Sequence, residues 1–163
     1  MAEEVLEERE VEPESAQERE RREAALAKVR KLDDPVLRTR ALPVSNFDGR
    51  LREEIDWMRD VMDGAMGVGL AATQVGMLAR VLVYRIEAES PTVALINPQV
   101  QWHGAETETL EEGCLSIPGI RVDVERFVHL RVAGADEYGS AVTAALAQPL
   151  HREASVSVDV DPQ

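Results

Sequence analysis

Gly67-Val-Gly69-Leu-Ala-Ala72-Thr-Gln74-Val-Gly76 is where the rhythm of this chain changes, and the fold class follows from what lies on either side. Upstream, Leu51, Ile55, Met58 and Met62 recur at spacings of four, three and four, which places them on one face of a helix. Asp48 is a suitable N-cap for that helix and Gly64 closes it. The stripe is read as core, and its methionines as packing rather than cofactor contacts. Downstream the period falls to two. Arg80–Ile86 and Val93–Asn97 are rich in β-branched residues and bounded by Gly76, Pro91 and Pro98, so both are predicted strands. Ile120–Val124 and Val128–Val132 follow, with Val128, Leu130 and Val132 on one face and His129 and Arg131 on the other. A loop runs from Gly134 to Gly139. Few helices and several short strands with tight connections predict an α+β fold, small antiparallel or mixed sheets around helices.

The flanks divide the chain further. The first 23 residues hold ten acids and four arginines, and with few apolar side chains they cannot offset their ordering entropy by burial. Residues 1–27 are therefore expected to form an acidic, mobile tail, with a helix possible after Ser15; residues 28–139 form the domain, and 140–163 an atypical C-terminal tail in which Ser155–Asp161 alternates like a stray strand. Net charge over all 163 residues is −13, and Lys and Arg are nowhere concentrated, which argues against nucleic acid as a partner. No run approaches the ~18 apolar residues of a membrane span, and Met1–Arg30 lacks an apolar signal core, so the expected location is cytoplasmic.

A second segment, Glu111-Glu112-Gly113-Cys114-Leu115-Ser116-Ile117-Pro118-Gly119, carries the only cysteine. A lone thiol cannot form an internal disulfide, so Cys114 is packed, reactive or a metal ligand. Its place before a Pro-Gly turn suggests irregular backbone, where a side chain can meet a metal or a substrate. Gln74 in the first segment offers an amide that both donates and accepts.

Taken together, GVGLAATQVG and EEGCLSIPG resemble the first two motifs of the peptide deformylases, metal-dependent hydrolases that remove the formyl group from the initiator methionine of nascent proteins. The resemblance runs from Val29 to Gly139 and includes Leu32–Ala41, Ile96-Asn97-Pro98 and Gly119–Val124. Thr73 departs from it, standing where the family usually has proline. The resemblance implies Cys114 as a metal ligand, Gln74 and the backbone N–H of Leu115 as oxyanion donors, and Gly69 as a point of close approach for the substrate backbone. Val68 and Ile117 would border a methionine pocket. It further implies Fe2+ or Zn2+ as cofactor and an N-formylmethionyl peptide or nascent chain as partner.

The family's third motif, a helix bearing His-Glu-x-x-His, does not occur in this sequence. That helix supplies two imidazole ligands and the general base. His103, His129 and His151 are the only histidines, and none has a second histidine four residues away. The fold is therefore expected to lack the C-terminal metal-binding helix, and hydrolysis to be impaired or absent. The alternatives are a non-catalytic peptide-binding relative or a truncated or frameshifted gene product. The missing helix would leave an apolar face, so the chain is expected to be a monomer of reduced solubility or to have a partner covering that face.

Overall fold

A computed structural model describes residues 14–87, 89–147 and 157–160. Its first element, α1 (Ala16–Leu26), begins at a reciprocal cap. Glu18 N–H donates to Ser15 Oγ at 3.2 Å and Ser15 N–H donates to Glu18 Oε2 at 2.8 Å. These bonds from Ser15 hold the Glu18 carboxyl below its ordinary pKa. The helix allowed for after Ser15 in the acidic leading segment is present as α1, while residues 1–13 lie outside the described residues. Composition misses what anchors α1. Ala25 is buried against Gly64, where an added Cβ would come within 2.9 Å of the Ala25 Cβ.

Helix α2 (Gly49–Gly64) starts where Leu51 N–H donates to Asp48 Oδ1 at 3.0 Å. Its stripe is buried as expected: Ile55, Met58 and Met62 have no exposed surface, and Leu51 and Val61 join them. The stripe packs on Leu70, Ala72, Val81, Val83 and Ile96 to make one core, with Val29 at its edge.

Eight strands follow: β1 (Gly69–Ala71), β2 (Val81–Tyr84), β3 (Val93–His103), β4 (Thr107–Cys114), β5 (Ile117–Phe127), β6 (His129–Ala135), β7 (Ala141–Ala147) and β8 (Ser157–Val160). Six form one sheet in the order β1-β2-β3-β6-β7-β8, and β4 pairs with β5 in a second. Every pairing between these strands is antiparallel, so the architecture is α+β. Among the described residues no α-helix follows α2, and the elements after β6 are β7 and β8. Strand β7 pairs with β6 along its whole length, and β8 pairs with β7, Val142 facing Val160.

Two further differences from the sequence reading have local causes. Strand β3 does not stop at Asn97-Pro98 but continues to His103 through register shifts after Ile96 and Val100. Asn97 takes a positive φ of 51° there, and its amide exchanges two 2.8 Å hydrogen bonds with the backbone of Val44, so the break in pairing is compensated. The segment read as irregular backbone before Cys114 is strand β4, its charge held across the hairpin by a bidentate Arg126–Glu112 pair with both bonds at 2.7 Å. Trp102, Ile120, Val122 and Phe127 are exposed apolar side chains on β3 and β5.

Candidate functional site

The two motifs meet at the end of α2. Met66 has a positive φ of 54° and Gly67 N–H donates to Met62 O at 2.8 Å, which turns the chain out of the helix. The two motifs pack closely at Gly67, where a Cβ would lie 2.9 Å from Leu115 Cδ1 of the second motif and 3.3 Å from Met62 Cγ. Strand β1 then runs along the edge of the six-stranded sheet, and a 3-10 turn over Ala72–Val75 places Gln74.

The Gln74 amide is oriented from both ends. Its Oε1 accepts from Ala71 N–H at 2.9 Å, so Nε2 points toward the second motif and donates to Ser116 Oγ at 3.2 Å. Nε2 lies 3.7 Å from Cys114 Sγ. The backbone behind α1 ties the same two loops together, with Arg30 N–H donating to Gln74 O at 2.7 Å and Leu32 N–H to Ser116 O at 3.2 Å. Ser116 was not singled out from sequence, yet it is buried and is the partner that aims the amide. A polar residue between Leu115 and Ile117 in a short apolar run was the available signal.

Cys114 ends β4 at a register shift and stands opposite Ile117, with its thiol exposed. A cleft of about 840 Å³ opens in front of it. Gln74, Cys114 and Leu115 line it together with Val68, Gly69 and Ile117, so all the residues proposed from sequence border one space. Helix α1 adds two lining residues that the sequence did not suggest, Arg22 and Leu26.

The histidines lie elsewhere or outside the described residues. His103 stacks on Phe127 with ring centroids 3.8 Å apart, and His129 is exposed on β6. His151 is not among the described residues. A catalytic zinc-type site needs about three protein ligands and an open position. Among the described residues no three His, Cys, Asp or Glu side chains are grouped to hold an ion, and around Cys114 the neighbours are an amide and a hydroxyl. The described donor set does not fit a catalytic metal.

A family model for polypeptide deformylase matches residues 26–153. This chain belongs to the peptide deformylase family. The peptide deformylase of Cellvibrio japonicus is 42% identical over 118 residues, a match covering 72% of this chain and 70% of that protein. That of Thermotoga maritima is 43% identical over 115 residues, covering 71% and 69%. The crystal structure of the Thermotoga maritima peptide deformylase superposes with a TM-score of 0.71 at 42% identity, covering 74% of this chain and 80% of that one. A peptide deformylase from Synechococcus elongatus in complex with actinonin gives a TM-score of 0.71 at 38% identity, covering 76% and 69%. Family membership accounts for both motifs. Among the described residues of this deformylase-family chain, no helix is long and apolar enough to cross a membrane.

Proposed function

We propose that this deformylase-family chain binds N-formylmethionyl peptides in the cleft and is impaired in hydrolysing them. The observation that carries the reading is the Gln74 amide, held at the cleft wall by Ala71 and Ser116 with Nε2 3.7 Å from Cys114 Sγ. A formyl oxygen placed there accepts from Gln74 Nε2 and from the Leu115 N–H. Preorganised donors of this kind cost little reorganisation on binding. Strand β1 lies at a sheet edge that borders the cleft, so an extended peptide can add to it through main-chain bonds. Val68 and Ile117 supply apolar walls for a methionine side chain.

The metal-dependent chemistry of the family would use Cys114 as a thiolate ligand for Fe2+ or Zn2+, which both accept sulfur. One such ligand holds an ion weakly, and that supports the non-catalytic reading over the hydrolytic one.

Binding of a fluorescent formyl-Met-Ala-Ser peptide, followed by anisotropy beside its unformylated counterpart, tests this directly. The formylated peptide is expected to bind more tightly, and Gln74→Ala to remove about 3- to 10-fold of that affinity, the worth of one good hydrogen bond. Equal affinity for the two peptides in the wild-type chain would overturn the proposal.

A further inference from the structure

The cleft is electrostatically unlike the rest of the molecule. The chain has 31 acidic residues against 18 basic ones, yet the cleft is lined by two arginines and by no Asp or Glu. One of them, Arg121, is 70% exposed and faces Glu111 at 3.4 Å. The other, Arg22, is held further in by α1, at 38% exposure. Its Nη2 pairs with Glu14 Oε2 at 3.1 Å, while its Nε, like the second Glu14 oxygen, is buried with no hydrogen-bond partner among the described residues. A guanidinium meets a carboxylate best through two parallel bonds, and this pair is joined through Nη2 with Nε shielded from solvent, so the pairing is less than ideal. Arg22 also lies outside the residues matched by the family model, which start at 26.

We propose that Arg22 is a specificity residue that recognises a carboxylate on the bound peptide, an Asp or Glu side chain close behind the N-terminal residue, with Glu14 as its counter-ion in the free protein. The inference rests on the peptide-binding reading above. Glu14 is the carboxylate a bound anion would have to displace from Arg22, no Asp or Glu is among the residues that line the cleft, and the acidic exterior repels an anionic ligand elsewhere.

The test compares formyl-Met peptides carrying Asp or Lys at the second and third positions, at low and high salt, on the full-length chain. The wild-type protein is expected to favour the acidic peptides by about 3- to 10-fold at low salt, less at high salt. Arg22→Gln is expected to abolish that preference while keeping the preference for the formyl group, and Arg22→Lys to retain part of it. Glu14→Gln, which removes the internal competitor and leaves Arg22 in place, is expected to enlarge it, and reads the same effect where the Arg22 variants fail to fold. Formyl-dependent binding with no charge preference, or a preference unchanged by both Arg22→Gln and Glu14→Gln, overturns this inference and leaves the peptide-binding proposal standing. Failure of every formylated peptide to bind overturns both.

Discussion

Supplied with ferrous iron or zinc, this chain is expected to release formate from a formyl-Met peptide at least ~10²–10⁴-fold more slowly than the Thermotoga maritima peptide deformylase, the factor associated with a positioned general base. The reason lies in the carboxylates nearest Cys114. Glu112 is two residues before Cys114 on β4, and Arg126 holds both its oxygens and keeps its carboxyl below the ordinary pKa. A lowered pKa makes it a poorer proton acceptor near neutrality. Glu111 pairs with Arg121. Both are engaged by arginines and neither lines the cleft. The residual rate, if measurable, is expected to be unchanged in Glu112→Gln. A rate comparable to that of the Thermotoga enzyme, or one abolished by Glu112→Gln, would show that a working base is present.

The second large effect concerns the core on which the site stands. Met58→Ala is expected to lower the unfolding free energy by about 2–5 kcal/mol, the range for truncating a long apolar side chain in a packed interior. Met58 is fully buried in the stripe that packs α2 on the sheet. Neighbouring Met62 touches Gly67, so a collapse of this stripe also reaches the first motif. The control is Glu53→Ala on the exposed side of α2, which should stay within about 0.5 kcal/mol. Urea denaturation distinguishes the two, with the Met58 variant shifting the midpoint at constant slope. A Met58→Ala shift no larger than the control's would show that this helix face is not packed.

The sequence was most legible where one physical signal dominated. Leu51, Ile55, Met58 and Met62 announce α2 because a helix with one wet face must repeat its apolar residues at its own period. Val81–Tyr84 reads as a strand for the corresponding reason. Elements whose stability comes from distant partners were harder to read. Strand β4 carries Glu108, Glu111, Glu112 and Gly113, and only pairing with β5, where Arg126 sits opposite Glu108 and reaches along the hairpin to Glu112, makes that composition suit a strand. Pro98 resembles a strand end, yet Asn97 and its bonds to Val44 carry β3 past it. The Ser15–Glu18 cap of α1 is a local pattern, whereas its seat at Gly64 spans nearly forty residues and leaves no trace in composition. In the site, the motif pair marked Gln74 and Cys114, and the fold brought them within 3.7 Å. The roles of Ser116 and Arg22 depend on how separate segments converge; a polar residue within a short apolar run hinted at Ser116, and nothing local marked Arg22.

Metal content of the purified chain after equilibration with excess Zn2+ and removal of free ion, measured beside a Cys114→Ser variant, is the sharpest discriminator between a peptide-binding relative and a working metallohydrolase. With Cys114 the sole proposed ligand among the described residues, well under one ion per chain is expected in both proteins. One ion per chain in the wild type, lost in Cys114→Ser, would contradict it.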